Sequence, residues 1–286
     1  MMNVIRARRA GFCMGVALAL HKLDSMVAAR EGEQVATLGD IIHNPQVLED
    51  YAQKGVRRLG AASEAEAGMA VLIRAHGITR GMEDELRSRC ARVEDATCPR
   101  VKKAQLAIAE ATAPGCELLL YGEADHPEVR GLISYAAGAS HIFSSSKELE
   151  ELLKRVSFEG CSVVLAAQTT QDRLIFDEIR SALSARFGDA LIVLDTIGDA
   201  TRQRQEEAGE LAGRVQAMVV VGGKTSGNTR RLAELARMRG VPTVLVETAD
   251  ELDRAFFEGV ETVGITAGAS TPGYIIDEVE SRLKSW

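Results

Sequence analysis

Five short, unbroken apolar runs punctuate the chain, and each ends in a polar, glycine-bearing or turn-forming tip. Residues 70–73 precede Arg-Ala-His-Gly, 118–121 precede Gly-Glu-Ala-Asp-His-Pro-Glu, and 163–167 precede Gln-Thr-Thr. Residues 218–221 precede Gly-Gly-Lys-Thr-Ser-Gly-Asn, and 263–265 precede Thr-Ala-Gly-Ala-Ser. Continuous rather than alternating apolar runs suit strands buried on both faces, and the helix-period stretches between them suit crossover helices. The pattern predicts an α/β chain with parallel sheets. Ligands of open α/β sheets bind beyond the carboxyl ends of the strands, so the five tips are the expected site.

Three helix starts recur at intervals of roughly a third of the chain, as internal repeats would place them. After Cys13, an apolar stripe of Val16, Leu20, Leu23 and Val27 predicts a helix. Pro99 favours a first helical turn after Cys98, and a third start follows Asp195-Thr196-Ile197-Gly198. Three similar α/β units are therefore expected, at 1–97, 98–195 and 196–286.

With 286 residues, 46% hydrophobic and 26% charged, the composition is that of a globular protein and not of a disordered or fibrous one. The basic start, Met-Met-Asn-Val-Ile-Arg-Ala-Arg-Arg, lacks the apolar stretch of a secretory signal, and no run reaches the length of a membrane span. A cytoplasmic location without membrane contact is expected. A net charge of −7 argues against nucleic acid as a partner, because a phosphate backbone calls for a basic surface. Five cysteines in a reducing compartment suit packing or metal ligation better than disulfides.

A thiol at a helix amino terminus has its thiolate favoured by the dipole and free amides, which suits Cys13 and Cys98 to soft metal centres. Each, taken alone, is more often a buried packing residue, and Cys90, Cys116 and Cys161 carry only that reading. His43, His76 and His126 lie in turn-rich tips. Together they form a donor set for a phosphate or diphosphate, assisted by Ser226, Asn228 and Ser270, which otherwise read as loop caps. Glu128 is a candidate proton donor or simply a solvated carboxylate. Thr169 and Thr170 close a buried strand, where a hydroxyl binds a substrate alcohol or caps the strand end. His21 and His141 fall outside the pattern.

Taken in order, Ala-Gly-Phe-Cys-Met-Gly-Val, Ile-His-Asn-Pro, Arg-Ala-His-Gly, Asp-Ala-Thr-Cys-Pro, Asp-His-Pro-Glu-Val, Gln-Thr-Thr, Gly-Gly-Lys-Thr-Ser-Gly-Asn-Thr and Thr-Ala-Gly-Ala-Ser-Thr-Pro resemble the 4-hydroxy-3-methylbut-2-enyl diphosphate reductase, or LytB, family. The likeness runs from Val4 to about Leu283. It implies a trefoil of three α/β domains with small parallel sheets around a central 4Fe–4S cluster held by three cysteines. Cys13 and Cys98 match two of these, and Gly198 stands where the third is expected.

By the same likeness, His43, His76, His126, Ser226, Gly227 (through its backbone), Asn228 and Ser270 bind the diphosphate. Glu128 delivers a proton, and Thr169 holds the substrate hydroxyl. The activity implied is a two-electron, two-proton reductive dehydroxylation giving isopentenyl and dimethylallyl diphosphates, the last step of the methylerythritol phosphate pathway. Electrons are expected from a ferredoxin or flavodoxin, since the chain has no flavin or nicotinamide fingerprint. The alternative from a different class is a redox-inactive diphosphate-binding protein with a deficient cluster.

Overall fold

A computed structural model describes residues 2–30, 32–90 and 92–286. Twelve strands and ten α-helices lie among them. The strands are β1 (Asn3–Arg6), β2 (Gln34–Leu38), β3 (Arg57–Leu59), β4 (Met69–Ile73), β5 (Arg92–Asp95), β6 (Cys116–Tyr121), β7 (Ala139–Phe143), β8 (Ser162–Ala167), β9 (Leu191–Val193), β10 (Ala217–Val221), β11 (Thr243–Val246) and β12 (Thr262–Ala267). The helices are α1 (Met14–Ala28), α2 (Pro45–Gln53), α3 (Arg80–Arg89), α4 (Pro99–Ala111), α5 (Pro127–Ile133), α6 (Ser146–Arg155), α7 (Arg173–Phe187), α8 (Asp199–Ala212), α9 (Gly227–Met238) and α10 (Gly273–Lys284).

The strands form three four-stranded sheets, ordered β3-β2-β4-β5, β7-β6-β8-β9 and β11-β10-β12-β1, and every pairing is parallel. The three orders are the same if β1 counts as the fourth strand of the last sheet. This differs from the unit expected over 1–97, because β1 pairs with β12 in the register Asn3↔Thr262 to Arg6↔Ile265. The physical reason is β12, whose residues from Val263 to Ala267 are all buried. Without β1 its ladder would end on a bare apolar edge. The expected cuts near 97 and 195 fall between sheets, in the turns before α4 and α8.

The compact units are two. One comprises Met1–Ala17, Ile42–Tyr51 and Asp199–Trp286, and the other Leu18–Ile41 and Ala52–Gly198. In the first, the side chains of β10 alternate as a pleated strand requires. Val219 and Val221 pack with Ile275, Ile276 and Val279 of α10, whereas Met218 and Val220 pack with Leu211, Ala208, Leu232 and Ala236 of α8 and α9. In the second, Leu119, Tyr121 and Leu165 meet Phe176, Ile179 and Leu183 of α7, while Leu118, Leu120 and Val164 meet Ile108 of α4 and Leu132 of α5. Helices on both faces account for the continuous apolar runs. The stripe of α1 is rotated from its expected line: Ala19, Leu23 and Met26 are the fully covered residues, and Leu20 and Val27 are half-buried.

Candidate active site

One backbone device recurs in each sheet. The residue just before a helix donates its N–H to the carbonyl two residues past the end of the neighbouring strand. Cys13 donates to Ala269 at 3.0 Å beside β12, Cys98 to Ala75 at 2.9 Å beside β4, and Gly198 to Thr169 at 3.0 Å beside β8. The next residue opens α1, α4 and α8 respectively. Gly198 thus occupies the backbone station of the two cysteines. It is buried, and its backbone is not left-handed, so a side chain there meets no backbone strain.

These stations test the fit of an iron–sulfur centre. Cys13 and Cys98 offer half-buried thiols at helix amino termini, which suits soft iron. At Gly198 the same station has no donor atom. The chain itself therefore fits two of the three anchors the family pattern calls for, and not the third.

In the second unit, Glu128 sits in the first turn of α5, fully buried, and Thr169 holds both its carboxyl oxygens. The Thr169 N–H donates to Oε1 at 2.6 Å, and Thr169 Oγ1 lies 3.1 Å from Oε2. Burial pushes the Glu128 carboxyl up to about 7, against the two Thr169 hydrogen bonds that pull it down. Oε1 accepts an N–H and Oε2 accepts the Thr169 hydroxyl; only the hydroxyl can turn to accept in its place, so Oε2 is the oxygen suited to carry the proton of the neutral acid. His126 caps α5, its Nδ1 accepting the Glu128 N–H at 3.1 Å. That role leaves the proton of the neutral ring on Nε2. The ring of His76 stands edge-on to that of His126, with centroids 5.3 Å apart.

The first unit carries the other predicted residues. Ser226 caps α9, accepting the Thr229 N–H, and Gly227 and Asn228 form the first turn, buried. The Asn228 amide nitrogen is buried without a hydrogen-bond partner among the described residues, at a helix end whose N–H groups attract anions. The Ser270 hydroxyl donates to the His43 carbonyl at 3.4 Å, and Asn44 fixes the turn after His43 by accepting the Val47 N–H. Gly223 approaches the same carbonyl so closely that a Cβ there would lie 2.9 Å from it.

Sequence reasoning passed over three supports of the site. Thr196 Oγ1 accepts the Ala167 N–H and donates to the Ala167 carbonyl, at 2.8 and 2.6 Å, pinning the approach to Gly198. Arg204 and Glu207 hold the approach to Cys13. Both lie on a stretch that reads as an ordinary charged helix, so no sequence signal marks them. Thr170 Oγ1 accepts from the Gln168 amide at 3.3 Å, and His141 pairs with Glu117 on the strand before it.

Three like-ordered parallel sheets, with thiols at two helix starts and a buried acid in the first turn of α5 beside a strand tip, define the α/β class of this chain. The chain belongs to the LytB protein family, whose pattern matches residues 4–284. It is 54% identical over 284 residues to the 4-hydroxy-3-methylbut-2-enyl diphosphate reductase of Nitratidesulfovibrio vulgaris strain Miyazaki F, covering 99% of this chain and all of the relative. The reductase of the same name from Desulfovibrio desulfuricans is 52% identical over 289 residues, with 99% and 100% covered. A solved (E)-4-hydroxy-3-methyl-but-2-enyl diphosphate reductase, the terminal enzyme of the non-mevalonate pathway, superposes with a TM-score of 0.68 at 37% identity, both chains fully covered. The Plasmodium falciparum E-1-hydroxy-2-methyl-but-2-enyl-4-diphosphate reductase has a TM-score of 0.89 at 23% identity, over 99% of this chain and 87% of its own, a likeness of fold.

Proposed function

We propose that this chain reductively removes the hydroxyl of (E)-4-hydroxy-3-methylbut-2-enyl diphosphate, giving isopentenyl and dimethylallyl diphosphates. The observation that carries the reading in the chain itself is the Glu128–Thr169 pair: a fully buried carboxyl raised to about 7, bonded to the backbone and the hydroxyl of a strand-tip threonine. A leaving hydroxyl needs one proton to depart as water, and a buried acid of this kind supplies it near neutral pH. The proton passes from Glu128 Oε2 through Thr169 Oγ1 to the substrate oxygen.

The diphosphate is held by His43, His76 and His126, by Ser226, Asn228 and Ser270, and by the Gly227 backbone. His126 donates from Nε2, since Nδ1 is occupied by the cap. Holding the charged end this way turns its binding energy into alignment of the hydroxyl. Cys13 and Cys98 are the residues that would hold a 4Fe–4S cluster, which would supply the electrons of the reduction. Gly198 adds no ligand, so turnover falls short of that of a chain with cysteine there. The electrons come from a ferredoxin or flavodoxin. The reading includes a cytoplasmic location, supported by cysteines that form no disulfide among the described residues; among these no helix is long and apolar enough to cross a membrane.

The test is anaerobic assay of the protein with the substrate and a reduced viologen, reading both products. Product formation that disappears in Glu128→Gln supports the reading. Substrate binding with no product, from this chain and from Gly198→Cys alike, overturns it in favour of a redox-inactive binder.

A further inference from the structure

The tips of β6 and β8 lie side by side, Tyr121 opposite Ala167; the first leads to Glu128 and the second carries Thr169. The Glu128–Thr169 pair is not the only tie between them. Gln168, fully buried, extends the β8 ladder by donating its N–H to the Tyr121 carbonyl at 2.8 Å, and its side chain lies along the β6 tip. Gln168 Oε1 accepts the Glu123 N–H at 3.1 Å and Gln171 Nε2 at 3.1 Å, while Gln168 Nε2 donates to Thr170 Oγ1 at 3.3 Å. A backbone N–H only donates, so the bond from Glu123 fixes which end of the amide is the oxygen.

Gly122 makes room for this bond. A Cβ there would lie 2.8 Å from Val129 Cγ2, 3.2 Å from Gln168 Cβ and 3.3 Å from Gln168 Oε1. Val129 follows Glu128 in α5, so the bare Gly122 backbone lets both α5 and the Gln168 amide close on the same tip. Two of the side-chain bonds hold the amide still within 168–171, and the third reaches across to Glu123. A neutral amide suits the place, since it accepts across the gap and donates within the turn. A carboxylate would add a negative charge one residue before Thr169, and an apolar side chain would release the Glu123 N–H. Hydrogen bonds weaken steeply with angle, and Thr169 holds two on Glu128 at once while its carbonyl accepts from Gly198.

We propose that Gln168 is a positioning residue for the proton donor: by clasping the β6 tip through Glu123, it holds the Glu128 carboxyl in register with Thr169. This role rests on the reading of Glu128 as the proton donor. Burial raises the Glu128 carboxyl and the two Thr169 bonds lower it, so the residue that keeps those bonds made also sets the pH range in which the acid holds its proton.

Two measurements on the full chain test it without turnover. In Gln168→Met, which keeps the volume and loses the side-chain bonds, hydrogen exchange at the Glu123 and Thr169 amides speeds up about tenfold or more, while the Cys98 amide, bonded to Ala75 beside β4, keeps the parent rate. Gln168→Asn, a milder change that keeps an amide but draws it back by one methylene, gives the same pattern. The Glu128 carboxyl is followed by carbon NMR in glutamate-labelled protein, with Glu128→Gln assigning its signal. It titrates at higher pH in Gln168→Met than in the parent, because burial is kept and the bonds that oppose it are relaxed. Faster exchange at Glu123 alone, with the Thr169 amide and the Glu128 titration unmoved, overturns the proposal and leaves Gln168 a support of its own turn. Turnover in Glu128→Gln equal to that of the parent overturns the proton-donor reading, and with it the catalytic meaning of the clasp, whereas exchange and titration decide the clasp itself.

Discussion

Glu128 and Thr169, forty-one residues apart in sequence, are joined by two hydrogen bonds, one from the Thr169 backbone and one shared with its hydroxyl. The Thr169 carbonyl in turn accepts the N–H of Gly198 at 3.0 Å. A single strand-tip residue therefore ties the Glu128 carboxyl to the backbone station of Gly198.

The rate should fall on the alkaline side as Glu128 ionises. A profile of kcat against pH is expected to bend downward near 7, following the raised Glu128 carboxyl. Glu128→Gln should lose turnover while retaining substrate affinity by calorimetry. A parent profile that stays flat to pH 9 would remove Glu128 from the role of acid.

The same group links stability to pH. Its folded value, about 7, lies above its ordinary value of 4.5, so its contribution is complete below about 4.5 and is lost as pH rises through 7. Thermal melts of Glu128→Gln should therefore lose less stability than the parent between pH 5 and pH 8. Parallel curves would show that the carboxyl is not held neutral.

Gly198→Cys should fold as well as the parent, since the station accepts a side chain without backbone strain. It should also bind more iron per chain under anaerobic preparation and turn over faster. Equal iron content and equal rates would mean that the chain completes its cluster by another donor.

Loss of a diphosphate donor should weaken substrate binding by about 10–100-fold, the value of one charge-assisted hydrogen bond, in both His43→Ala and His126→Ala. His126→Ala should also lose about 1 kcal/mol of stability with the α5 cap, which His126→Asn should restore without restoring affinity. Calorimetry and denaturant titration read the two effects separately.

Gly223→Ala should act on His43 from behind. The added methyl group would lie 2.9 Å from the His43 carbonyl, a backbone atom that cannot rotate away. A loss of about 1–3 kcal/mol, or a weakened substrate affinity where the loop yields instead, is expected from denaturant titration and calorimetry. No change in either would show that the two tips are not in contact.

The strands that read clearly from sequence, β4, β6, β8, β10 and β12, lie inside the sheets, where both faces demand apolar residues. The others are mostly edges such as Arg-Arg-Leu of β3 and Arg-Val-Glu-Asp of β5, which carry charge and give no continuous run. Of the interior strands only β2, broken by Ala36 and Thr37, was hidden. The motif tips were legible because they terminate the legible strands. Arg204 was not, because its burial depends on a loop that is remote in sequence. The pairing of β1 with β12 was hidden for the same reason, since nothing in Asn-Val-Ile-Arg names a partner some 260 residues away.

That pairing orders the making of the molecule. As the chain is synthesised from its amino terminus, the sheets built on β2 and β6 have all their strands once residue 193 has emerged. β1 precedes the other described strands in the chain and is the last of them to be paired, since β12 ends at Ala267. Until translation is nearly finished, Cys13 hangs on an arm with no sheet behind it, and Arg204 has nothing to hold. Cys13, at the start of α1, therefore takes up its station only after β12 is available to pair with β1.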